Sequence, residues 1–394
     1  MVSEMGVYVQ TAYRSLNKKG EELCGDKVRI VRRGGTTIAV LADGLGSGVK
    51  ANILATLTSQ ILSTMIYEGA SVQEAVETIA KTLPVCSVRK LAYSTFSVLE
   101  ISENGDGYLA EFDNPFCFYL RNGEQQEFRP EYNEYSGRGV YETHFKAEPG
   151  DIITLVSDGV IWAGVGDNMN FGWTWESVLQ WLQNAAALEL SAPRLTVALS
   201  DAVNDLYHHR PGDDSTVLVA EVLAEKPVCL LAGPPENREM DARMVGDFMA
   251  SSGLKAVCGG TSANIVARET GKTVTTSLEY IDRDIPPVGH ISGIDLCTEG
   301  VLTLNKALEI LNQIADRPPD DALMDRLDQK DGAALLARMM YEECTRLTMF
   351  IGTAVNPAHS DPSLQSELSM KLHLLDKLSV VMEKMGKHVK KIYY

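Results

Sequence analysis

Apolar positions along the chain follow two periods, and the alternation between them sets out the elements. β-Branched residues dominate 7–12 and 28–40, broken by the loop 17–25 and the turn Arg33-Gly34-Gly35, which predicts strands. Behind a glycine-rich stretch, Ile53, Leu54, Leu57, Ile61, Leu62, Met65 and Ile66 recur at helical spacing. They predict one long amphipathic helix over 49–68, followed by a second over 72–83. Strands resume at 94–101, 107–113 and 116–121, separated by Glu103-Asn104-Gly105-Asp106 and Arg121-Asn122-Gly123, the spacing of antiparallel hairpins. A strand at 152–156, helices over 173–189 and 194–208, and a closing strand at 215–222 follow. This order predicts an α+β architecture in which two sheets pack together with helices outside.

At Ala224-Glu225-Lys226-Pro227 the pattern resets. A strand at 228–231, a helix over 235–249 and a strand at 254–258 lead to the glycine turn Cys258-Gly259-Gly260-Thr261-Ser262-Ala263, which reads as a small α/β unit. Beyond Gly300 the character is helical, over 302–315, 332–351 and 364–385, with breaks at Arg317-Pro318-Pro319 and Asn356-Pro357. Two domains are expected, 1–225 and 226–394, the second with an α/β part over about 227–300 and a helical part over about 301–394. A length of 394 residues also favours two domains over one.

Composition narrows the partners. A formal charge of -17 argues against nucleic acid or an anionic membrane surface, either of which demands a cationic face. No segment approaches the roughly 20 apolar residues that cross a bilayer, and no basic region followed by an apolar core opens the chain, so a cytoplasmic location is expected. The seven cysteines are scattered without a CxxC pair and read as reduced, buried thiols.

The candidate chemistry is acidic. Asp43 ends an apolar run and opens Asp43-Gly44-Leu45-Gly46-Ser47-Gly48, where glycines let backbone approach a ligand closely. Asp-Gly is also an ordinary turn dipeptide. Three more aspartates beside glycines lie at the edges of β-type runs: Asp26 in Gly25-Asp26, Asp158 in Ser157-Asp158-Gly159, and Asp213 in Gly212-Asp213-Asp214-Ser215-Thr216.

In order and spacing these four motifs, with Lys50-Ala51 behind the second, resemble the bacterial metal-dependent protein phosphatases of the stage II sporulation protein E (SpoIIE) type. These are relatives of the type 2C, or PPM, serine/threonine phosphatases. Asn114-Pro115 followed by Asn122-Gly123 looks like the family's intermediate asparagine-proline strand, and the resemblance covers about 7–223. It implies an α-β-β-α sandwich with two Mn²⁺ or Mg²⁺ ions at one edge. By that resemblance Asp43 would bridge both ions, Asp26 and the Gly44 carbonyl would bind one, and Asp158 and Asp213 the other. Asp214 would stand behind the ligands. The helices starting at Val49 and Val72 would be the regulatory switch. Arg14 is the candidate for the phosphate-gripping arginine of eukaryotic relatives, but the bacterial branch usually lacks this contact and a solvated or packing role is the preferred reading. Lys27 departs from the small residue common beside Asp26.

Donor chemistry agrees. Carboxylates and a carbonyl, without cysteine or histidine, suit hard cations, and two such ions about 4 Å apart activate water for attack on phosphorus. No cysteine is followed six positions on by arginine, so no phosphatase-type cysteine loop is present. The expected function is a metal-dependent phosphoserine/phosphothreonine protein phosphatase in bacterial signalling, acting on a phosphorylated protein, perhaps of the anti-anti-sigma type. The alternatives are a catalytically silent phosphoprotein-binding adaptor and a phosphatase that regulates a metabolic enzyme through its C-terminal domain.

That domain offers less. Cys258-Gly259-Gly260-Thr261-Ser262 reads as a turn before it reads as a phosphate cradle. His290, Asp295, Cys297 and Glu299 match no metal spacing and suggest a helix start capped by Thr298 or Thr303. The stripe Leu364, Leu368, Leu372, Leu375, Leu378, Met382 and Met385 fits core packing or a homodimer seam equally, and Lys387-His388-Val389-Lys390-Lys391 reads as a solvated basic tail. The domain after Pro227 is expected to act on the switch helices or beside the acidic site.

Overall fold

A computed structural model describes residues 6–83, 94–166, 169–276, 285–354 and 362–394, with side chains in the last segment from Met370 onward. Cys86 and the side chains of Leu364 and Leu368 fall outside what is described. The chain divides into two compact units, the first running to Ala224 and the second beginning at Glu225.

The first unit runs β1 (Val7–Leu16), β2 (Asp26–Arg33), β3 (Thr36–Gly44), α1 (Gly48–Tyr67), α2 (Val72–Thr82), β4 (Ser94–Ile101), β5 (Asp106–Phe112), β6 (Phe118–Arg121), β7 (Glu124–Gln125), β8 (Glu131–Tyr135), β9 (Arg138–Lys146), β10 (Asp151–Val156), α3 (Asp158–Ile161), α4 (Trp175–Ala186), α5 (Ala192–Leu206) and β11 (Ser215–Ala224). Its two antiparallel sheets have the orders β1-β11-β10-β6-β7 and β2-β3-β4-β5-β9-β8. Side-chain alternation shows how they stack. In β3, Ile38, Val40 and Ala42 join Leu62, Ile66, Val76 and Ile79 of α1 and α2, while Ala39 and Leu41 join Ile153, Leu155, Leu218 and Ala220 of the other sheet. In β11, Val217 and Val219 turn the opposite way, onto Val178, Leu182, Leu195 and Leu199 of α4 and α5. The result is helix, sheet, sheet, helix, an α-β-β-α sandwich. Leu41 has no exposed surface, and cutting it to alanine would cost about 2–5 kcal/mol.

Two local expectations change. On α1, Leu54, Leu62 and Ile66 are buried, but Val49, Ile53 and Leu57 are exposed, so the apolar stripe is narrower than the spacing suggests. The hairpin β8–β9 has no counterpart in the sequence reading, because Glu131–Tyr135 carries too few apolar residues to show a period of two.

The second unit runs β12 (Pro227–Ala232), a 3₁₀ turn (Arg238–Met240), α6 (Asp241–Ala250), β13 (Leu254–Cys258), α7 (Gly260–Thr270), β14 (Thr275–Thr276), β15 (Gly289–His290), β16 (Leu296–Thr298), α8 (Val301–Asp316), α9 (Asp321–Leu327), α10 (Gly332–Glu342), β17 (Arg346–Ile351), α11 (Pro362–Lys384) and β18 (His388–Tyr393). Five strands pair in parallel in the order β16-β13-β12-β17-β18. Cys229 and Leu231 of β12 pack with Met244, Val245 and Phe248 of α6, and the alternating Val228 and Leu230 are equally buried, so both faces of the sheet are covered.

This corrects the helical reading of the end of the chain. The stretch 332–351 is a helix to Glu342 and then strand β17, and the supposed basic tail is strand β18. Lys387 is buried, its ammonium donating to the carbonyls of Tyr341 (2.8 Å) and Cys344. Leu375, Leu378 and Met382 are buried within the unit. The cap before α8 is Gly300 with no side-chain bond; Thr298 lies in β16 and Asp295 accepts the Lys255 N–H at 2.7 Å.

Candidate functional site

Four chain segments end at one edge of the sandwich. The register of the β2–β3 hairpin sets Asp26 directly opposite Asp43, and the Gly44 N–H donates to the Gly25 carbonyl at 3.1 Å. Gly44 must be glycine, since a β-carbon there would run into the Ala51 carbonyl of α1. Asp158 begins α3 immediately after β10, and Asp213 and Asp214 precede β11, the neighbour of β10.

The polar bonds tie these segments together. Ser157 Oγ donates to Asp26 Oδ2 (2.7 Å) and accepts the Thr216 N–H (2.8 Å), fixing the start of β2 against β10 and β11. Asp214, 4% exposed, accepts the backbone N–H of Lys18 (2.9 Å), and Lys18 Nζ reaches Asp213 Oδ1 at 3.2 Å. Asp26 Oδ1 and Asp214 Oδ2 are buried without partners.

The electrostatics are unfavourable as they stand. Asp43 is pushed well above the usual carboxylate range by burial, then by the charges of Asp26 and Asp158. Asp26 is raised by burial, with the Ser157 and Thr216 hydrogen bonds pulling it back and Asp214 and Asp158 adding to the rise. Asp158 is raised by burial and then by Asp213, with Lys18 opposing. A fold that gathers such acids does so at a cost, which a hard divalent cation would relieve. The all-oxygen donor set and the two orphaned carboxylate oxygens fit such an ion. Among the described residues no three His, Cys, Asp or Glu side chains close into a ligating group, so the aspartates are gathered without meeting at one point.

The family model for stage II sporulation protein E (SpoIIE) matches residues 33–223. The match lies within the first unit, which is therefore similar to SpoIIE-type domains. No curated protein matches the chain. Solved structures similar to it include the PP2C phosphatase domain with a fragment of the regulatory domain of SpoIIE from Bacillus subtilis, at 18% identity and a TM-score of 0.48, the match covering 56% of this chain and 66% of that one. RsbX in complex with magnesium is 20% identical (TM-score 0.40; 55% and 96% covered). The catalytic domain of the serine/threonine phosphatase PstP with two manganese ions is 18% identical (TM-score 0.37; 55% and 99%).

Other residues of the first unit separate from the edge. Arg14 is held by Asp201 of α5, Nη1 to Oδ1 at 2.9 Å. The residue the sequence did not signal is Lys18, in the irregular loop before β2, where no period marks it. Of the helices starting at Val49 and Val72, the first touches the edge through Asn52, whose Nδ2 donates to the Cys24 carbonyl at 2.7 Å. No helix among the described residues is long and apolar enough to cross a membrane.

Proposed function

We propose that the first unit is a metal-dependent phosphoserine/phosphothreonine protein phosphatase using two Mn²⁺ or Mg²⁺ ions. The observation that carries this reading is the pairing of Asp26 with Asp43 across the β2–β3 register, with Asp158 close enough to raise both. Asp26, Asp43, the Gly44 carbonyl, Asp158 and Asp213 would hold the ions. Bound there, such ions supply a water of lowered pKa and neutralise phosphoryl oxygens. The chain's own work is positional: Ser157 commits one Asp26 oxygen and leaves the other free, and Lys18 offers a partly exposed cation that draws a phosphate ester to the rim. A phosphorylated signalling protein, as the family resemblance suggests, is the substrate proposed. The test is hydrolysis of p-nitrophenyl phosphate and of a phosphoserine peptide with added manganese by wild type, Asp43→Ala and Asp158→Asn. Wild-type turnover lost in both variants supports the reading; wild type inactive at every metal concentration overturns it.

One observation favours the silent adaptor instead. The Lys18 ammonium already neutralises Asp213 in the way a cation would. If that is its purpose, Lys18→Ala should create manganese binding that wild type lacks.

A further inference from the structure

The second unit has an edge that the first unit's chemistry does not use. Counted along the chain, its parallel strands lie third, second, first, fourth, fifth, so the order reverses between β12 and β17. In open parallel sheets, ligands enter the crevice beyond the carboxyl ends of the strands at such a reversal. Here Gly233 follows the last residue of β12 and Gly352 the last of β17, and the Gly352 N–H donates to the Ala232 carbonyl at 3.0 Å. Gly233 has φ +87, and a β-carbon on it would collide with Lys371 Nζ from α11. That ammonium sits over the crevice with no ion pair to a described residue, and burial lowers its pKa. It is a desolvated cation with no anion among the described residues.

The neighbouring strand ends supply donors. β13 runs through Gly259, φ +113, into α7, and β16 through Gly300 into α8; neither helix has a side-chain cap, so both present unpaired N–H groups. The Gly259 N–H donates to the Thr298 carbonyl at 2.9 Å, which sets the two turns side by side. Ser262, 1% exposed in the first turn of α7, accepts the Gly233 N–H at 2.7 Å and locks that turn to the crevice. The Thr298 hydroxyl, in a residue 4% exposed beside the Cys258 thiol at this edge, has no hydrogen-bond partner. Glu299, exposed at the same edge, would repel a bare anion but can accept from a ribose diol.

We propose that this crevice, with Lys371 at its head and the Gly259-Gly260-Thr261 turn as its floor, binds the phosphate of a nucleotide. The inference is independent of the phosphatase reading. Titration calorimetry of the full chain in EDTA, which removes divalent ions from the acidic edge, tests it with ADP and with inorganic phosphate. Saturable ADP binding is expected, weakened at least about tenfold by Lys371→Ala and by Thr261→Glu. The second variant places a carboxylate where a helix N-terminus favours one, so the fold tolerates it while the anion is displaced. ADP binding tighter than phosphate assigns a nucleotide, and equal affinities assign the phosphate alone. No binding of either at millimolar concentration, or either variant binding ADP as wild type does, overturns the proposal.

Discussion

At the strand ends of the first unit stand Asp26, Asp43, Asp158 and Asp213; at those of the second unit stand Gly233, Gly259 and Gly300, with Lys371 reaching Gly233 from α11. In the function proposed above, the first set would answer a cation with side chains, held by antiparallel register. In the inference drawn above, the second would answer an anion with backbone, freed by glycines where parallel strands turn into helices. The difference follows from sheet type. Antiparallel strands join through turns and bring side chains face to face, whereas parallel strands hand over to helices whose first N–H groups point outward.

The contrast is tested most severely at Asp43. Asp43→Ala should lower manganese-dependent hydrolysis by more than the roughly 100-fold that loss of a supporting contact costs, and leave ADP binding by the second unit unchanged. Activity retained within tenfold would break the comparison at its acidic side.

Manganese sharpens it next. Ions at a hundred times their dissociation constant stabilise by about 2.7 kcal/mol, which for a domain of this size raises the melting temperature by about 5–10 °C. Amide exchange should slow in β2, β3 and β10 and stay unchanged in β12 and β17. Uniform protection of both units would show that the metal is not held where the aspartates gather.

A control lies inside the same sandwich. Glu111 of β5, buried and bonded to the Cys117 N–H at 2.7 Å, has its pKa pushed up to about 8 by burial. Because the folded chain keeps this proton where the unfolded chain releases it, stability is full below about pH 4.5 and falls as the pH rises to 8. Glu111→Gln should remove that decline, leaving the variant more stable than wild type at pH 8.5 by on the order of a few kcal/mol and equal to it near pH 4.5. Denaturant melts at the two pH values measure this. A decline of the same size in both proteins would mean that burial alone does not make a carboxylate costly here, and the argument for a cation at the edge would weaken with it.

The smallest effect is expected at Lys18. Its pair with Asp213 is partly exposed, so Lys18→Ala should change metal-free stability by less than about 1 kcal/mol. A larger loss in a urea melt would make Lys18 a structural counter-ion and favour the adaptor.

Much of the acidic edge was readable because each aspartate lies at the edge of an apolar run beside a glycine, and strand ends are where hydrophobic period and turn chemistry both change. That Asp26 faces Asp43 needed the register, which a sequence shows only as a distance between turns. The second unit was harder. β17, Arg-Leu-Thr-Met-Phe-Ile, follows α10 with no glycine or proline between, and a short buried strand has no period to distinguish it from more helix. At and just before β18 the lysines suggested solvent, yet Lys387, the residue preceding the strand, is buried because backbone carbonyls satisfy its ammonium. Thr298 looked like a cap by composition, whereas only the fold reveals it as an unpartnered hydroxyl beside a glycine turn.

The hairpin turn at Gly34-Gly35 lies about 25 Å from the aspartates it aligns, at the far end of β2 and β3. Lengthening that turn by one residue would leave every side chain of the site present and put Asp26 across from a neighbour of Asp43, with the carboxylates on opposite faces of the ribbon. Two glycines remote from any chemistry therefore act as the gauge for it, and an insertion there would silence the edge without touching it.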